Sequence, residues 1–275
     1  MGMTLAVTRE PPLEPQGPSE PLGRSKPPEQ EPPDPAARAT PGTAPGVGAA
    51  STPGPVDEAV LTAYGMVEAA GLLSGVSLEL WEHLPEDFCR DHELDRGRLI
   101  TRQSGSRGHQ TASRRLANAL EKAARSAVGA GAYACLTVNQ DVDVRLWDVP
   151  AATVRRPDVL VHRCLDPGAD LWAEHLLLAV EIVSPTSRAT DTGRDNPDSG
   201  FESKMTQYAR VGIKHYWIVR LKPDDSAIES IEEWRSLDRH PEYTLAAVWT
   251  AEPDRDAVGT ESPFRIEISW TDLDF

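Results

Sequence analysis

The run of residues from Leu176 to Val183 dominates the hydrophobic pattern of the chain. Seven apolar residues enclose one carboxylate, Glu181, and the pair Ser184-Pro185 follows the run. A run of this length that ends at a breaker is typical of a strand buried on both faces. An isolated ionised carboxylate is costly in such a place because it loses its hydration. We therefore expect a partner beside Glu181, either a metal or a lysine.

The rest of the pattern predicts helices and further strands on both sides of this run. A hairpin is predicted at 92–102, because two extended pieces flank Asp95-Arg96-Gly97, where a glycine suits a tight turn. Apolar residues at helical spacing predict an amphipathic helix at 109–128. Extended segments are predicted at 133–139, 141–147, 154–161, 213–220, 227–233, 243–250 and 264–270. This order predicts an α/β fold with a mixed β-sheet flanked by helices.

A polar loop at 184–198 separates the Glu181 strand from the next predicted helix. That helix is expected to start at a capping box, Ser199-Gly200-Phe201-Glu202, and to end at Gly212. Lys204 falls inside the apolar stripe of this helix rather than on the solvated face. We therefore expect the lysine side chain to point inward. The stripe consists of Phe201, Met205, Tyr208 and Val211.

The first 55 residues differ from the rest of the chain in composition. They hold 14 of the 24 prolines and no aromatic residue. We interpret 1–55 as a disordered arm, 56–78 as an N-terminal helix whose association with the domain stays open, and 79–275 as the domain. The N-terminus lacks the basic and apolar regions of a signal peptide, and no apolar run reaches the ~20 residues of a membrane helix. A soluble, cytoplasmic protein without membrane contact is expected.

The formal net charge of -15 limits the ways in which the chain can meet nucleic acid. It disfavours binding by counterion release, which needs a basic surface. It is compatible with an enzyme whose acidic site recruits a divalent metal before it meets a phosphate. The three cysteines, Cys89, Cys135 and Cys164, lack metal-ligand spacing and are predicted to be reduced thiols.

Three residues stand out as candidates for chemistry: Asp158, Glu181 and Lys204. Both acids lie in predicted strands, and the lysine lies on the inward face of the following helix. Two carboxylates can hold one Mg²⁺, and a nearby lysine can orient or deprotonate a water or neutralise developing charge. This combination suits phosphodiester hydrolysis. Three structural alternatives stay open: a strand-entry turn at Pro157-Asp158, a lysine whose charge reaches the surface, and a buried Glu181–Lys204 ion pair without catalysis.

The order and spacing of motifs around these residues resemble the Uma-type restriction endonuclease family, within the PD-(D/E)XK nuclease superfamily. The similarity runs from about Trp81 to the C-terminus. The motifs are His92-Glu93-Leu94 with Gly97, His109, Arg155-Arg156-Pro157-Asp158-Val159-Leu160-Val161, Leu178-Ala179-Val180-Glu181-Ile182-Val183-Ser184-Pro185-Thr186-Ser187, Asp191, Lys204, Tyr208-Ala209-Arg210-Val211-Gly212-Ile213 and His215-Tyr216-Trp217-Ile218-Val219.

The resemblance implies a restriction-endonuclease-like fold and an endonuclease that depends on Mg²⁺ or Mn²⁺. Asp158 and Glu181 match the metal-binding acids, and Lys204 matches the catalytic lysine. The general superfamily pattern places that lysine two positions after the glutamate, where this chain has Val183. The Uma-type pattern takes it from the next helix instead. The loop between Asp191 and Lys204 is longer than the family leads us to expect.

His109, Asp191 and Glu93 are accessory candidates for the same site. Each has an ordinary alternative: a histidine at a helix start can be a cap or a surface residue, and a loop aspartate is commonly a turn residue. The expected partner is a nucleic acid substrate, DNA before RNA, and cleavage of both strands of a duplex would favour a homodimer. A second hypothesis is a catalytically silent nuclease-fold protein that binds a protein partner through its acidic surface or its N-terminal arm.

Overall fold

The structure is a computed structural model. It describes residues 75–102, 104–149, 151–183, 188–193, 200, 202–237, 242–251 and 257–275, with the isolated helical positions 62, 65 and 66. All of these belong to one compact unit, Pro53–Phe275. The predicted arm at 1–55 and most of the predicted N-terminal helix at 56–78 lie outside the described residues.

Helices separate groups of consecutive strands along the described chain. The helices are α1 (Leu78–His83), α2 (Glu86–Arg90), α3 (Arg107–Gly129), α4 (Arg188–Thr192), α5 (Lys204–Arg210) and α6 (Trp270–Leu273), with a 3₁₀ turn at Ala173–His175. The strands are β1 (His92–Asp95), β2 (Arg98–Thr101), β3 (Leu136–Asn139), β4 (Val144–Trp147), β5 (Thr153–Arg155), β6 (Val159–Arg163), β7 (Leu176–Val183), β8 (His215–Leu221), β9 (Ile228–Ser236), β10 (Tyr243–Thr250), β11 (Ala257–Thr260) and β12 (Ile266–Ser269).

A six-stranded mixed sheet forms the centre of the domain, with the strand order β10-β9-β8-β7-β6-β3. β7 and β8 are parallel, and the other neighbours are antiparallel. All eight residues of β7 are buried. This strand has a hydrogen-bonded neighbour on each edge and packing on both faces, which explains its continuous apolar pattern. The predicted buried strand and the mixed α/β architecture are confirmed.

Alternate residues of β7 face two different cores. Val180 and Ile182 pack on the side of α3, whose Leu116 and Leu120 are fully buried. Ala179 and Val183 belong to the other core, together with Tyr208 of α5. Because side chains alternate along a strand, Glu181 lies on the α5 side. The predicted helix at 109–128 is confirmed; it begins at Arg107 because the side chain of Ser106 accepts a hydrogen bond from the backbone N–H of His109 at 3.1 Å.

A second, four-stranded sheet carries the predicted hairpin, in the order β2-β1-β5-β4. Arg96 and Gly97 form the turn with φ angles of 49° and 76°. Two successive positive φ angles are typical of a type I′ turn, so the predicted hairpin is confirmed. Val76 and Leu78 are buried beneath this sheet, next to the start of the predicted domain at residue 79.

The hairpin of β11 and β12 was not fully predicted, since β11 is only four residues long and contains a glycine. A buried polar network joins it to the central sheet. Glu233, on β9, accepts a hydrogen bond from Nε of Arg235 at 2.8 Å. Nη2 of Arg235 also donates to the hydroxyl of Thr260, on β11, at 2.7 Å.

Two predictions about the region before Lys204 are wrong. The polar loop contains a short helix, α4, at Arg188–Thr192. The following helix is capped by Ser203, whose hydroxyl accepts from the backbone N–H of Thr206 at 3.3 Å. Glu202 therefore precedes the helix, and its carboxylate forms an ion pair with Arg210 instead of completing a capping box. Ser199 and Phe201 lie outside the described residues.

The prediction of three reduced cysteines is wrong for two of them. Cys135 and Cys164 form a disulfide with their Cα atoms 5.4 Å apart, whereas Cys89 is a buried free thiol. β3 and β6 are antiparallel, with Leu136 opposite Arg163. The two cysteines occupy the next opposite positions in this register, which is why they meet although 29 residues separate them.

None of the described helices has the length and apolar character that crossing a membrane requires.

Candidate metal-binding and catalytic site

A cavity of about 580 Å³, the acidic cavity, brings together all six candidate residues. They come from six parts of the fold: β1, α3, the entry to β6, β7, α4 and the start of α5. The six are Glu93, His109, Asp158, Glu181, Asp191 and Lys204.

Asp158 immediately precedes β6, at the edge of the central sheet. The register of β6 against β7 pairs Val159 with Val180, so Asp158 follows at the position opposite Glu181. One carboxylate oxygen of Asp158 accepts the backbone N–H of Ile182 at 2.6 Å. The other lies 3.0 Å from Nε2 of His109. These contacts fix the orientation of the carboxylate, and each oxygen keeps a further lone pair for another ligand.

Glu181 and Lys204 form the centre of the cavity. Nζ of Lys204 lies 3.2 Å from each carboxylate oxygen of Glu181. The hydroxyl of Tyr208 donates to the same carboxylate at 2.9 Å. Lys204 is only 6% exposed, although it is the first residue of α5. The predicted inward direction of this lysine is therefore confirmed, and the alternative of a surface-reaching charge is wrong.

Glu93 is a second carboxylate partner of Lys204, at 3.0 Å from Nζ. Its other oxygen lies 3.0 Å from the guanidinium of Arg155. Burial would raise the pKa of Glu93, but the charges of Lys204, Arg155 and Arg102 outweigh that effect and lower the pKa to about 2. Glu93 is therefore ionised at neutral pH and helps to hold Lys204 in place.

Asp191 and His109 occupy the two sides of the cavity. A carboxylate oxygen of Asp191 lies 3.7 Å from Nζ of Lys204, and its backbone carbonyl accepts from the hydroxyl of Tyr216 at 3.2 Å. Burial would lower the pKa of His109, but the hydrogen bond to Asp158 and the charge of that carboxylate raise it. Asp191 belongs to α4 rather than to a turn, and His109 faces Asp158 rather than solvent.

Burial and neighbouring charges act in opposite directions on the pKa of Lys204, and Lys204 alone opposes the other effects on the pKa of Glu181. Burial would lower the pKa of Lys204, but Glu181, Glu93 and Asp191 raise it, so the side chain is a cation. Burial and the charges of Asp191, Asp158 and Glu93 raise the pKa of Glu181 well above its ordinary value, against the lowering effect of Lys204. Ionised Glu181 therefore depends on the cation beside it, Lys204.

Carboxylates outnumber basic side chains in the described lining of the acidic cavity. Among the lining residues that the structure describes, seven are Asp or Glu and three are Lys or Arg. Nowhere in the described chain are three His, Cys, Asp or Glu side chains placed to hold a metal together. Asp158 and Glu181 instead offer two carboxylates, an arrangement that suits Mg²⁺ because this ion usually keeps several waters.

Two contributors to the site, Tyr208 and Arg155, were not identified from the sequence. Tyr208 was assigned to the core from its place in an apolar stripe, and it is fully buried, but its hydroxyl also orients Glu181. Arg155 is 1% exposed and connects Glu93 to Gln207 of α5 through a 2.8 Å hydrogen bond. The apolar surroundings of an arginine inside a predicted strand were the available signal for Arg155, since such a charge needs a buried partner.

The protein is therefore an α/β protein whose mixed sheet carries, at its edge, an acidic cavity with a buried lysine. Residues 79–253 match the family described as Uma2, putative restriction endonuclease. The match covers more than half of the chain, so the chain belongs to this family, and the resemblance noted from its motifs is confirmed.

One solved structure to which the chain is similar is a putative nuclease belonging to DUF820 from Anabaena variabilis. It is 16% identical in sequence, with a TM-score of 0.49, and the match covers 72% of this chain and 97% of that chain. No curated protein matches the chain.

Proposed function

We propose that the protein is a metal-dependent endonuclease that hydrolyses phosphodiester bonds in nucleic acid. The observation that carries the proposal is the buried contact of Lys204 with both oxygens of Glu181, in the cavity that also holds Asp158. The family match supports the same class of activity. The chemistry of two adjacent acids and one lysine fits phosphoryl transfer, where catalysis consists largely of positioning and charge stabilisation.

Asp158 and Glu181 are the proposed ligands of Mg²⁺ or Mn²⁺, with a backbone carbonyl near Ile182 or Val183 as a further oxygen. Such an ion, when bound, polarises a phosphoryl oxygen and lowers the pKa of a bound water. The chain itself supplies the orientation: the N–H of Ile182 and the ring of His109 fix Asp158, and the hydroxyl of Tyr208 fixes Glu181.

Lys204 is the proposed catalytic cation. Its ammonium group can orient the attacking water through a hydrogen bond and can neutralise the charge that develops on the phosphoryl oxygens. Glu93 and Asp191 hold this ammonium at 3.0 Å and 3.7 Å, so it does not need Glu181 as its only partner when that carboxylate binds a metal.

A cleavage screen tests the proposal. Purified protein is incubated with single-stranded and double-stranded DNA and RNA in Mg²⁺ or Mn²⁺, beside the variants Glu181→Gln and Glu229→Gln. Glu229 is an exposed glutamate of β9 that does not line the acidic cavity, so its variant removes the same charge without touching the site. We expect cleavage by the wild type and by Glu229→Gln, and a loss of at least about 100-fold in Glu181→Gln. Equal activity in all three proteins would identify a contaminant and contradict the proposal.

A buried ion pair without catalysis is the competing explanation for Glu181 and Lys204. It predicts that the double variant Glu181→Leu/Lys204→Met folds at least as stably as the wild type, since an apolar pair of similar size can replace a buried ion pair. The proposed function predicts in addition that this double variant does not cleave. Retained cleavage would remove both residues from the mechanism.

Three further expectations stay predictions: a homodimer that cuts both strands, a protein partner for the N-terminal arm, and a cytoplasmic location. The disulfide of Cys135 and Cys164 bears on the last of these, because structural disulfides are rare in a reducing cytosol. Free-thiol quantification on protein isolated from its native cells, without reductant, would test that location.

A further inference from the structure

A second cavity, also of about 580 Å³, lies on the α5 side of the central sheet. Its floor is apolar and consists of Ile218, of β8, and Met205, of α5. One wall is the half-buried indole of Trp234, from β9. The rest of the lining consists of Arg188, Arg220, Glu232, Thr192 and Gly193. A volume of this size, with an apolar floor, an aromatic wall and a few polar groups, is typical of small-ligand sites.

The polar groups of this second cavity are already oriented. Nε of Arg220 donates to the carboxylate of Glu232 at 2.6 Å, and the indole N–H of Trp234 donates to the other oxygen of that carboxylate at 3.0 Å. The guanidinium of Arg220 and the ring of Trp234 are thereby held next to each other. The side chain of Arg220 remains 28% exposed, so it is accessible to a ligand.

The two cavities differ in the sign of their charge. In the acidic cavity the described carboxylates outnumber the Lys and Arg side chains by seven to three. In the second cavity the described lining has two arginines and one carboxylate, Glu232. The chain as a whole has a net charge of -15, so a locally positive cavity is unusual on it. Its arginines suit an anionic group and its tryptophan suits a flat ring, so the cavity fits a ligand that has both.

The two cavities are also adjacent. Asp191 lines the acidic cavity, and the next residue, Thr192, lines the second cavity. Lys204 likewise lines the acidic cavity, and the next residue, Met205, lines the second cavity. Neighbouring residues of one chain are 3.8 Å apart at their Cα atoms, and a helix with its side chains is about 10 Å across. The two cavities therefore lie on either side of α4 and α5, within about one helix diameter of each other.

From these observations, and resting on the proposed function, we infer that the second cavity binds an unpaired nucleotide that flanks the phosphodiester cleaved in the acidic cavity. The base stacks on Trp234, and the phosphate pairs with Arg220 and Arg188. A base can stack on Trp234 in this cavity only when it leaves the duplex stack, which costs energy in an intact duplex. The preferred substrate is therefore a single strand, or a duplex with an unpaired end.

The binding test uses the cleavage-deficient Glu181→Gln protein, a fluorescent single-stranded oligonucleotide of about 12 nucleotides, the matching duplex, and fluorescence anisotropy in Mg²⁺ buffer. Arg220→Gln and Arg188→Gln are added to this background. Arg125→Gln is the matched control, because Arg125 is exposed on α3 and pairs only with Glu121 among the described residues. We expect the single strand to bind at least about 10-fold more tightly than the duplex. We expect Arg220→Gln to weaken single-strand binding about 10-fold, and the control not to change it.

A second set of variants separates binding from folding. Trp234→Phe keeps a stacking ring and is expected to retain most of the affinity, whereas Trp234→Leu is expected to lose about 10-fold. The inference is overturned if the parent protein binds neither form, if single strand and duplex bind equally, or if the affinities of Arg220→Gln and Arg188→Gln equal that of Arg125→Gln.

The kinetics in the wild-type background distinguish the two proposals. If Arg220→Gln raises KM for a single strand about 10-fold with kcat unchanged, both proposals are supported, because the lost contact acts on substrate binding alone. If the wild type cleaves and Arg220→Gln leaves KM unchanged, the inference fails and the proposed function stands. If the wild type cleaves nothing while binding still depends on Arg220, the proposed function fails and the nucleotide site stands by itself.

Discussion

At the scale of single residues, the site depends on how one lysine is shared among carboxylates. Lys204 contacts Glu181, Glu93 and Asp191, and its first two contacts are at 3.2 Å and 3.0 Å. Nη1 of Arg155 in turn lies 3.0 Å from the carboxylate oxygen Oε2 of Glu93 and compensates its charge. Removing one member therefore leaves an unbalanced buried charge, which costs more than the lost contact alone.

Glu93→Gln tests this balance through pH. The pKa of Glu93 is lowered from its ordinary 4.5 to about 2, so its ionised form stabilises the fold. This stabilisation is fully present above about pH 4.5, and it is lost as the pH falls toward 2. The difference between the two pKa values corresponds to at most roughly 3 kcal/mol. Urea unfolding at pH 7, 5 and 4 should show a wild type that is more stable than Glu93→Gln by a margin that shrinks below pH 4.5. A margin that does not change with pH would contradict this role.

Tyr208→Phe tests the orientation of Glu181. The variant keeps the buried ring and removes only the hydroxyl that donates to Glu181 at 2.9 Å. We expect unfolding free energy to fall by about 1–3 kcal/mol, and cleavage to fall with it. Tyr133→Phe is the matched control. The hydroxyl of Tyr133 donates to the backbone carbonyl of Pro263 at 2.8 Å, and neither residue lines the acidic cavity. Equal cleavage by Tyr208→Phe and Tyr133→Phe would show that Glu181 does not need this donor.

Much of the site could be predicted at the residue scale. A carboxylate enclosed by apolar residues indicated Glu181, and helical phase indicated that Lys204 points inward. The contribution of Tyr208 could not be predicted, because an aromatic residue in an apolar stripe packs in the core whether or not its hydroxyl finds a partner. The link from Arg155 through Glu93 to Lys204 connects three distant segments, and sequence periodicity contains no information on such contacts.

At the scale of elements, the start of α3 packs against the turn between β8 and β9 beside the acidic cavity. His109 contacts Asp158 from this first turn, and Gly108 is buried against the turn between β8 and β9. A Cβ atom added at Gly108 would lie 2.7 Å from the Cβ of Asp225 and would also contact its carbonyl oxygen. Asp225 has little freedom to move, since its φ is already positive at 56°.

Gly108→Ala should therefore shift the start of α3 and misplace His109. We expect a loss of about 1–3 kcal/mol in unfolding free energy and weaker metal binding. Gly129→Ala, at the other end of the same helix, has nothing within 4 Å of the added Cβ and should be neutral or stabilising by about 0.5 kcal/mol. Chemical denaturation of the two variants checks this contrast. If Gly108→Ala is as stable as Gly129→Ala, the turn between β8 and β9 accommodates the added methyl group, and the prediction is contradicted.

Elements with strong periodicity were predictable, and elements set by tertiary contacts were not. β10 was predicted at its observed bounds because its eight residues have a continuous strand composition. α4 was missed because its five residues, Arg188–Thr192, have no apolar stripe and are held by contacts with the rest of the fold. The disulfide depends on the register of β3 against β6, and this register could not be predicted from the sequence.

At the scale of the whole molecule, the distribution of charge explains how an acidic protein can act on a polyanion. The net charge of -15 repels nucleic acid, and the acidic cavity adds to this repulsion. The proposed divalent metal at Asp158 and Glu181 would reverse the local sign of charge at the place proposed for the phosphate. The central claim is therefore that this cavity is a metal site, and everything proposed about catalysis depends on it.

Calorimetric titration with Mn²⁺ tests that claim most directly, on the wild type, Asp158→Asn and Asp166→Asn. Asp166 is exposed in the loop after β6, so its variant is a control for the loss of one negative charge. The account predicts a saturable site in the wild type and in Asp166→Asn, and an affinity weakened at least about 10-fold in Asp158→Asn. A wild type without a saturable site, or an Asp158→Asn protein that binds Mn²⁺ as tightly as the wild type, would contradict it.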